Sequence, residues 1–186
     1  MPRFAANLSM MFTEVPFLAR FDAAARAGFT AVEFLFPYDH PADAIGERLH
    51  RNGLTQALFN LPPGNWDAGE KGFAARPDKF GELQQSLHTA LPYAKATGVK
   101  RLHLMSGLAD RNDPKSLAAF RKSVTYAAEF FAPHGIDVVL EPLNGRNVPG
   151  YFLNDFGFAR DQIVDLGIPN LKLQFDLYHC QILHGD

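Results

Sequence analysis

The stretch DVVLEPL, residues 137–143, puts Asp137 and Glu141 on one side of an extended chain and Val138 and Leu140 on the other. Acids on one face and aliphatic groups on the other mark a strand covered by apolar packing on a single side. Five more runs read the same way, near 3–9, 31–36, 54–61, 101–107 and 171–176. Their polar sides carry Arg3, Asn7 and Ser9; Glu33; Gln56 and Asn60; Arg101 and His103; Lys172, Gln174 and Asp176. Their apolar sides carry residues such as Leu8, Val32, Phe34, Phe59, Leu102, Leu104, Leu171 and Phe175.

Helical patterns separate these runs. TEVPFLARFDAAARAGF places Phe17, Leu18, Phe21, Ala24 and Ala25 on one face before Gly28, and PADAIGERLHRNG closes in the same manner at Gly53. DPKSLAAFRKSVTYAAEFFAPHG opens with Asp113 as the N-cap and Pro114 at the first helical position. Strand and helix therefore alternate six times, as in parallel crossover units. An open parallel sheet covered by helices on both faces reads as continuous hydrophobic runs. Polar groups on one face of every strand fit a sheet curled around a lumen instead. The expected fold is α/β, a (β/α)8 TIM-barrel type truncated to about six β/α units, with residues 1–186 as one incomplete domain lacking the last two units. The competing reading is a half-exposed sheet in an α+β domain.

Composition narrows the function. The chain of 186 residues is 47% hydrophobic and 20% charged, as in an ordinary globular protein with one sizeable core. Its net charge of −2 comes without a basic block, which argues against nucleic acid or a membrane surface as partner and for a small molecule. The single cysteine, Cys180, has no internal disulfide partner and no activating neighbour, the N-terminus lacks a secretory pattern, and no apolar run approaches a membrane span. A cytoplasmic protein is expected. Residues 62–78, PPGNWDAGEKGFAARPD, form the one long irregular stretch; Trp66 within it suggests an ordered lid, or else a tryptophan simply packed on the surface.

The strand ends in such barrels carry the chemistry. Here they offer Glu141, Asp176 with His179 three residues on, and Asn60. Two carboxylates pointing into one lumen repel unless something neutralises them, and a divalent cation does so; oxygen ligands favour Mg²⁺ or Mn²⁺. Each residue has a second reading. Glu141 can pair with Arg101 or Lys172, Asp176 can cap the following helix, His179 can be an ordinary helix histidine, and His103 reads as core hydrogen bonding rather than a ligand.

Five ordered stretches, RFAANLSMMF, AVEFLFPYD, NLPPGNWDAGEKG, VVLEPLNGRNVPGYFL and NLKLQFDLYHCQ, closely resemble the hydroxypyruvate isomerase family within the xylose-isomerase-like barrels, including its 2-oxotetronate isomerase branch. The resemblance runs over essentially the whole chain. It implies a barrel of about 250 residues that interconverts a hydroxy ketone and a hydroxy aldehyde at a divalent metal, with four ligands from the ends of strands five to eight. Glu141 matches the strand-five glutamate, which is both ligand and acid/base. Asp176 matches the strand-six ligand, and His179 the histidine that reaches a substrate oxygen. By that count the strand-seven ligand and the second catalytic glutamate are missing, as in a fragment, a truncated reading frame, or a barrel completed by another chain or homo-oligomer.

The implied reaction removes a proton from C3 of hydroxypyruvate to give an enediolate and returns one at C2, yielding tartronate semialdehyde. Arg101 or Lys172 is expected to hold the substrate carboxylate, and Asn60 and Trp66 to line its pocket. 2-Oxotetronate, longer by one hydroxymethylene, is the alternative substrate, with Phe59 and the Trp66 loop as the places where length is read. A catalytically incomplete protein that binds a sugar acid or metal is the alternative of another class. Metal-dependent cleavage of DNA is disfavoured by the missing basic surface.

Overall fold

Helices on one side of a parallel sheet need strands that are apolar toward them, and the sheet meets this condition. The computed structural model describes residues 3–185. Its elements run β1 (Ala6–Asn7), α1 (Phe17–Arg26), β2 (Ala31–Glu33), α2 (Ala42–Arg51), β3 (Thr55–Gln56), β4 (Phe59–Asn60), α3 (Phe80–Thr97), β5 (Arg101–His103), α4 (Pro114–Phe131), β6 (Asp137–Leu140), α5 (Phe156–Leu166), β7 (Leu171–Leu173) and α6 (Leu177–His184). Every strand pairing is parallel, in the orders β1-β2-β3 and β4-β5-β6-β7.

The run expected as one strand over 54–61 is divided into β3 and β4. Its first half pairs with β2, Val32 opposite Gln56, while its second half pairs with β5, Asn60 opposite His103. The Asn60 N–H still donates to Leu35 O at 2.9 Å, so the two halves are one curved path. The bend at residues 57–58 turns the sheet, and Gln56 Nε2 donates to the freed Leu58 carbonyl at 2.7 Å. This is the curvature a barrel wall requires.

The core lies between sheet and helices. Phe21 and Ala24 of α1, Ile45 and Leu49 of α2, Leu83 and Leu87 of α3, and Phe120, Val124 and Phe131 of α4 are buried against Val32, Phe34, Phe59, Leu102, Val138 and Leu140. Asp113 caps α4 as expected, its carboxylate accepting from Lys115 N and Ser116 N at 3.2 and 3.1 Å. In contrast, α1 and α2 start after Pro16 and Pro41 with no side-chain cap. Among the described residues no helix is long and apolar enough to cross a membrane.

Candidate active site

Parallel strands deliver their C-terminal residues to one end, and there a cavity of about 510 Å³ opens among the lumenal side chains. Three carboxylates face it: Glu33 from β2, Glu141 just after β6, and Asp176 ahead of α6. None of the described residues lining it is a lysine or arginine.

Glu141 is nearly buried. Its Oε1 accepts from Gln174 Nε2 at 2.8 Å, and its Oε2 lies 3.5 Å from His103 Nδ1. Burial, reinforced by the Asp176 charge and eased by the Gln174 hydrogen bond, pushes its carboxyl up to about 8. The salt bridge to Arg101 or Lys172 is not formed. Glu33 is also raised, first by burial, with the hydrogen bond from Asn7 Nδ2 at 3.0 Å opposing and the Asp176 charge adding.

Asp176 serves the fold as well as the cavity. Its Oδ1 accepts the His179 N–H at 2.9 Å, so it is the N-cap of α6. Capping and chemistry are therefore compatible, because the second oxygen stays free of the cap.

The cap brings His179 back over the site. Its Nδ1 accepts the backbone N–H of Asn144 at 3.0 Å and lies 2.8 Å from Asn144 Nδ2. Burial lowers its basicity, with Asp176 opposing. A neutral imidazole whose Nδ1 accepts a backbone N–H carries its proton on Nε2. His179 is then a hydrogen-bond donor.

Ligand atoms of Glu141, Asp176 and His179 lie within 4.8 Å of one another. The donor set suits a hard divalent cation through the two carboxylates, and the proton on His179 Nε2 leaves that residue to a ligand's oxygen. Two buried polar atoms at the cavity wall, Gln174 Oε1 and His103 Nε2, have no hydrogen-bond partner.

The remaining expected residues divide. Asn60 lines the cavity, buried, with its Oδ1 3.2 Å from His103 Nδ1. Trp66 stands at the mouth against Phe36, ring centres 5.3 Å apart, with the Lys71 ammonium 3.2 Å above its ring. Its loop is pinned by Asn65 N–H to Glu70 Oε2 at 2.7 Å, Gly72 N–H to Pro63 O at 2.8 Å, and a bridge between Gly72 and Ser106.

Arg101 and Lys172 do not reach the cavity, which corrects their expected role. Each sits two residues before a cavity residue, His103 and Gln174, and so about 7 Å lower in the wall at roughly 3.3 Å per residue. Arg101 opens instead on a different pocket, with Arg3 and Lys100. Gln174 and Asn144 carry no expected role and His103 is expected only as core hydrogen bonding, yet Gln174 and His103 face Glu141 and Asn144 faces His179. Period two puts Gln174 on the same face as Asp176, which was the available signal.

A family profile described as xylose isomerase-like TIM barrel matches residues 21–186. The chain belongs to this family. It is 50% identical to the 2-oxo-tetronate isomerase of Cupriavidus necator, over 100% of this chain and 72% of that protein, and 39% identical to the hydroxypyruvate isomerase of Escherichia coli, over 100% and 73%. Its curated relatives in the family are thus isomerases, as the five sequence stretches implied. A crystal structure described as AP endonuclease, family 2, from Brucella melitensis superimposes with a TM-score of 0.96 at 51% identity, covering 100% of this chain and 72% of that one.

Proposed function

We propose that this protein is an isomerase of short 2-oxo-hydroxy acids that moves a proton between C3 and C2 at a divalent metal, Mg²⁺ or Mn²⁺. The observation that carries the reading is the convergence of Glu141, Asp176 and His179 in one cavity. Hydroxypyruvate and 2-oxotetronate both fit this chemistry, and the names of the relatives support both.

Glu141 and Asp176 would hold the cation, which when bound supplies charge that acidifies the C–H beside the substrate ketone. Glu141 is the base. Held from Gln174 Nε2 on one oxygen and facing His103 Nδ1 with the other, the Glu141 carboxylate is oriented to take the C3 proton and to give one back. His179 Nε2–H is placed to donate to a substrate oxygen as negative charge builds there. Asn60 lies across the cavity as a second polar contact. Removal of the C3 proton leaves an enediolate, the proton returns at C2, and the hydroxyl proton passes from O3 to O2. C3 becomes the carbonyl, an aldehyde from hydroxypyruvate and a ketone from the four-carbon acid. The cavity's three carboxylates and its lack of lysine and arginine among the described residues leave the cation as the counter-charge for an acid substrate.

The Brucella structure's description offers a nuclease reading. Phosphate backbones are bound chiefly through lysine and arginine, and neither lines this cavity among the described residues. The test is direct: incubate the full chain and Mn²⁺ with each acid and follow the isomeric product by NMR. Conversion of at least one acid is expected; conversion of neither, with Mn²⁺ demonstrably bound, refutes the proposal.

A further inference from the structure

His103 ends β5 at the wall of the cavity and is 1% exposed. Its Nδ1 faces two oxygens, Asn60 Oδ1 at 3.2 Å and Glu141 Oε2 at 3.5 Å. The opposite nitrogen, Nε2, is buried without any partner. Two proton placements are open to the neutral ring. With the proton on Nδ1, one N–H is shared by two acceptors and the unpaired atom is a lone pair. With the proton on Nε2, a buried donor is stranded and, once Glu141 is ionised as a metal ligand must be, a lone pair faces a carboxylate, even if the Asn60 amide turns over. Stranding a donor and opposing two acceptors both cost free energy, so the first arrangement is favoured.

The consequence reaches both neighbours. Glu141 is then held from two sides, by Gln174 Nε2 on Oε1 and by His103 on Oε2. Asn60, with Oδ1 turned to the ring, keeps Nδ2 for a ligand. The 3.5 Å separation from Glu141 is longer than a formed hydrogen bond, and contacts of this kind commonly tighten only with substrate in place.

We propose that His103 is a positioning residue for the proton transfer, its Nδ1–H shared between Glu141 and Asn60 so that the base and the substrate-facing amide are oriented by one ring. This rests on the isomerase reading above. It assigns a purpose to a histidine that would otherwise be only a buried core residue.

Two measurements test it. In the full chain labelled with ¹⁵N-histidine and loaded with Mg²⁺ so that Glu141 is ionised, and with His103 assigned by its loss in His103→Asn, the ring is expected to show a pyrrole-like Nδ1 and a pyridine-like Nε2. The reverse tautomer overturns the proposal whether or not the protein turns anything over. In kinetics, His103→Leu is expected to lower kcat about 10–100-fold, the usual effect of removing a group that orients a ligand, with KM little changed. His103→Asn, whose amide nitrogen can stand where Nδ1 stood, is expected to recover most of that loss. A Leu variant with full turnover, or Asn no better than Leu, overturns the proposal. Absence of turnover in the unmodified chain overturns the isomerase reading instead, and the tautomer then decides the placement of the His103 proton separately.

Discussion

Asp176 does two things, and replacing it by Asn and by Ala separates them. As N-cap of α6 its carboxylate oxygen accepts the His179 N–H at 2.9 Å. Asn caps about as well as Asp, whereas Ala forfeits roughly 0.5–2 kcal/mol. Unfolding entropy of about 2.1 cal/mol/K per residue gives roughly 0.4 kcal/mol/K for a chain of 186 residues, so each kcal/mol moves Tm about 2–3 °C. Asp176→Ala should therefore melt about 1–5 °C lower, and Asp176→Asn within about 1 °C of the parent. Metal affinity should respond differently. A unit charge pair at 4 Å is worth about 4 kcal/mol at an effective dielectric of 20, and a divalent ion doubles it. If only a quarter of that survives solvent screening, either substitution weakens Mn²⁺ binding by more than about tenfold. Differential scanning calorimetry and titration calorimetry read the two effects. An Asn variant with parental Mn²⁺ affinity would refute the ligand role and leave Asp176 as a cap alone.

Three further outcomes follow from the same geometry. The folded-state pKa of Glu141 is raised from 4.5 to about 8, so in metal-free protein its contribution to stability is full below about 4.5 and is lost as pH rises through 8; Tm should fall across that window, and Mn²⁺ should remove or reverse the decline. A metal-free Tm that rises from pH 5 to 8 would contradict the burial of this carboxyl. Tyr151→Phe removes the buried hydroxyl that accepts the Ser106 N–H at 2.9 Å and should cost about 1–3 kcal/mol in urea unfolding with an unchanged m value. Gly72 has φ +104 and a Cβ there would run into the Met105 carbonyl, so Gly72→Ala should release the loop and alter Trp66 fluorescence; an unchanged spectrum and Tm would show that the loop is not anchored there.

The architecture was legible because two periods coexist in the chain. Alternation placed Glu33, Asn60, His103, Glu141 and Gln174 on the lumenal face, and the structure puts all five around the cavity. Helix signals worked where a side chain makes the cap, as at Asp113, and gave less warning for α1 and α2, which follow prolines. The division of the third strand was invisible, since a bend in the wall leaves the alternation of residues 54–61 intact. Depth was invisible too. Period two gives a side but not a level, which is why Arg101 and Lys172 shared the expected face with His103 and Gln174 yet lie a pleat below the cavity. Hydrogen-bond roles needed coordinates. Only the approach of the Asn144 N–H to His179 Nδ1 shows which nitrogen of that ring points a proton at the site.

Whether Glu141 moves the C3 proton at a divalent cation can be read from the substrate's own hydrogens. The most direct test is proton NMR of hydroxypyruvate in D₂O with the full chain, with and without Mg²⁺, and with Glu141→Gln. Loss of the C3 signal above the protein-free rate is expected only when metal and Glu141 are both present, with the variant slower by at least about 100-fold. Exchange that persists in Glu141→Gln, or that proceeds equally without metal, would contradict this reading.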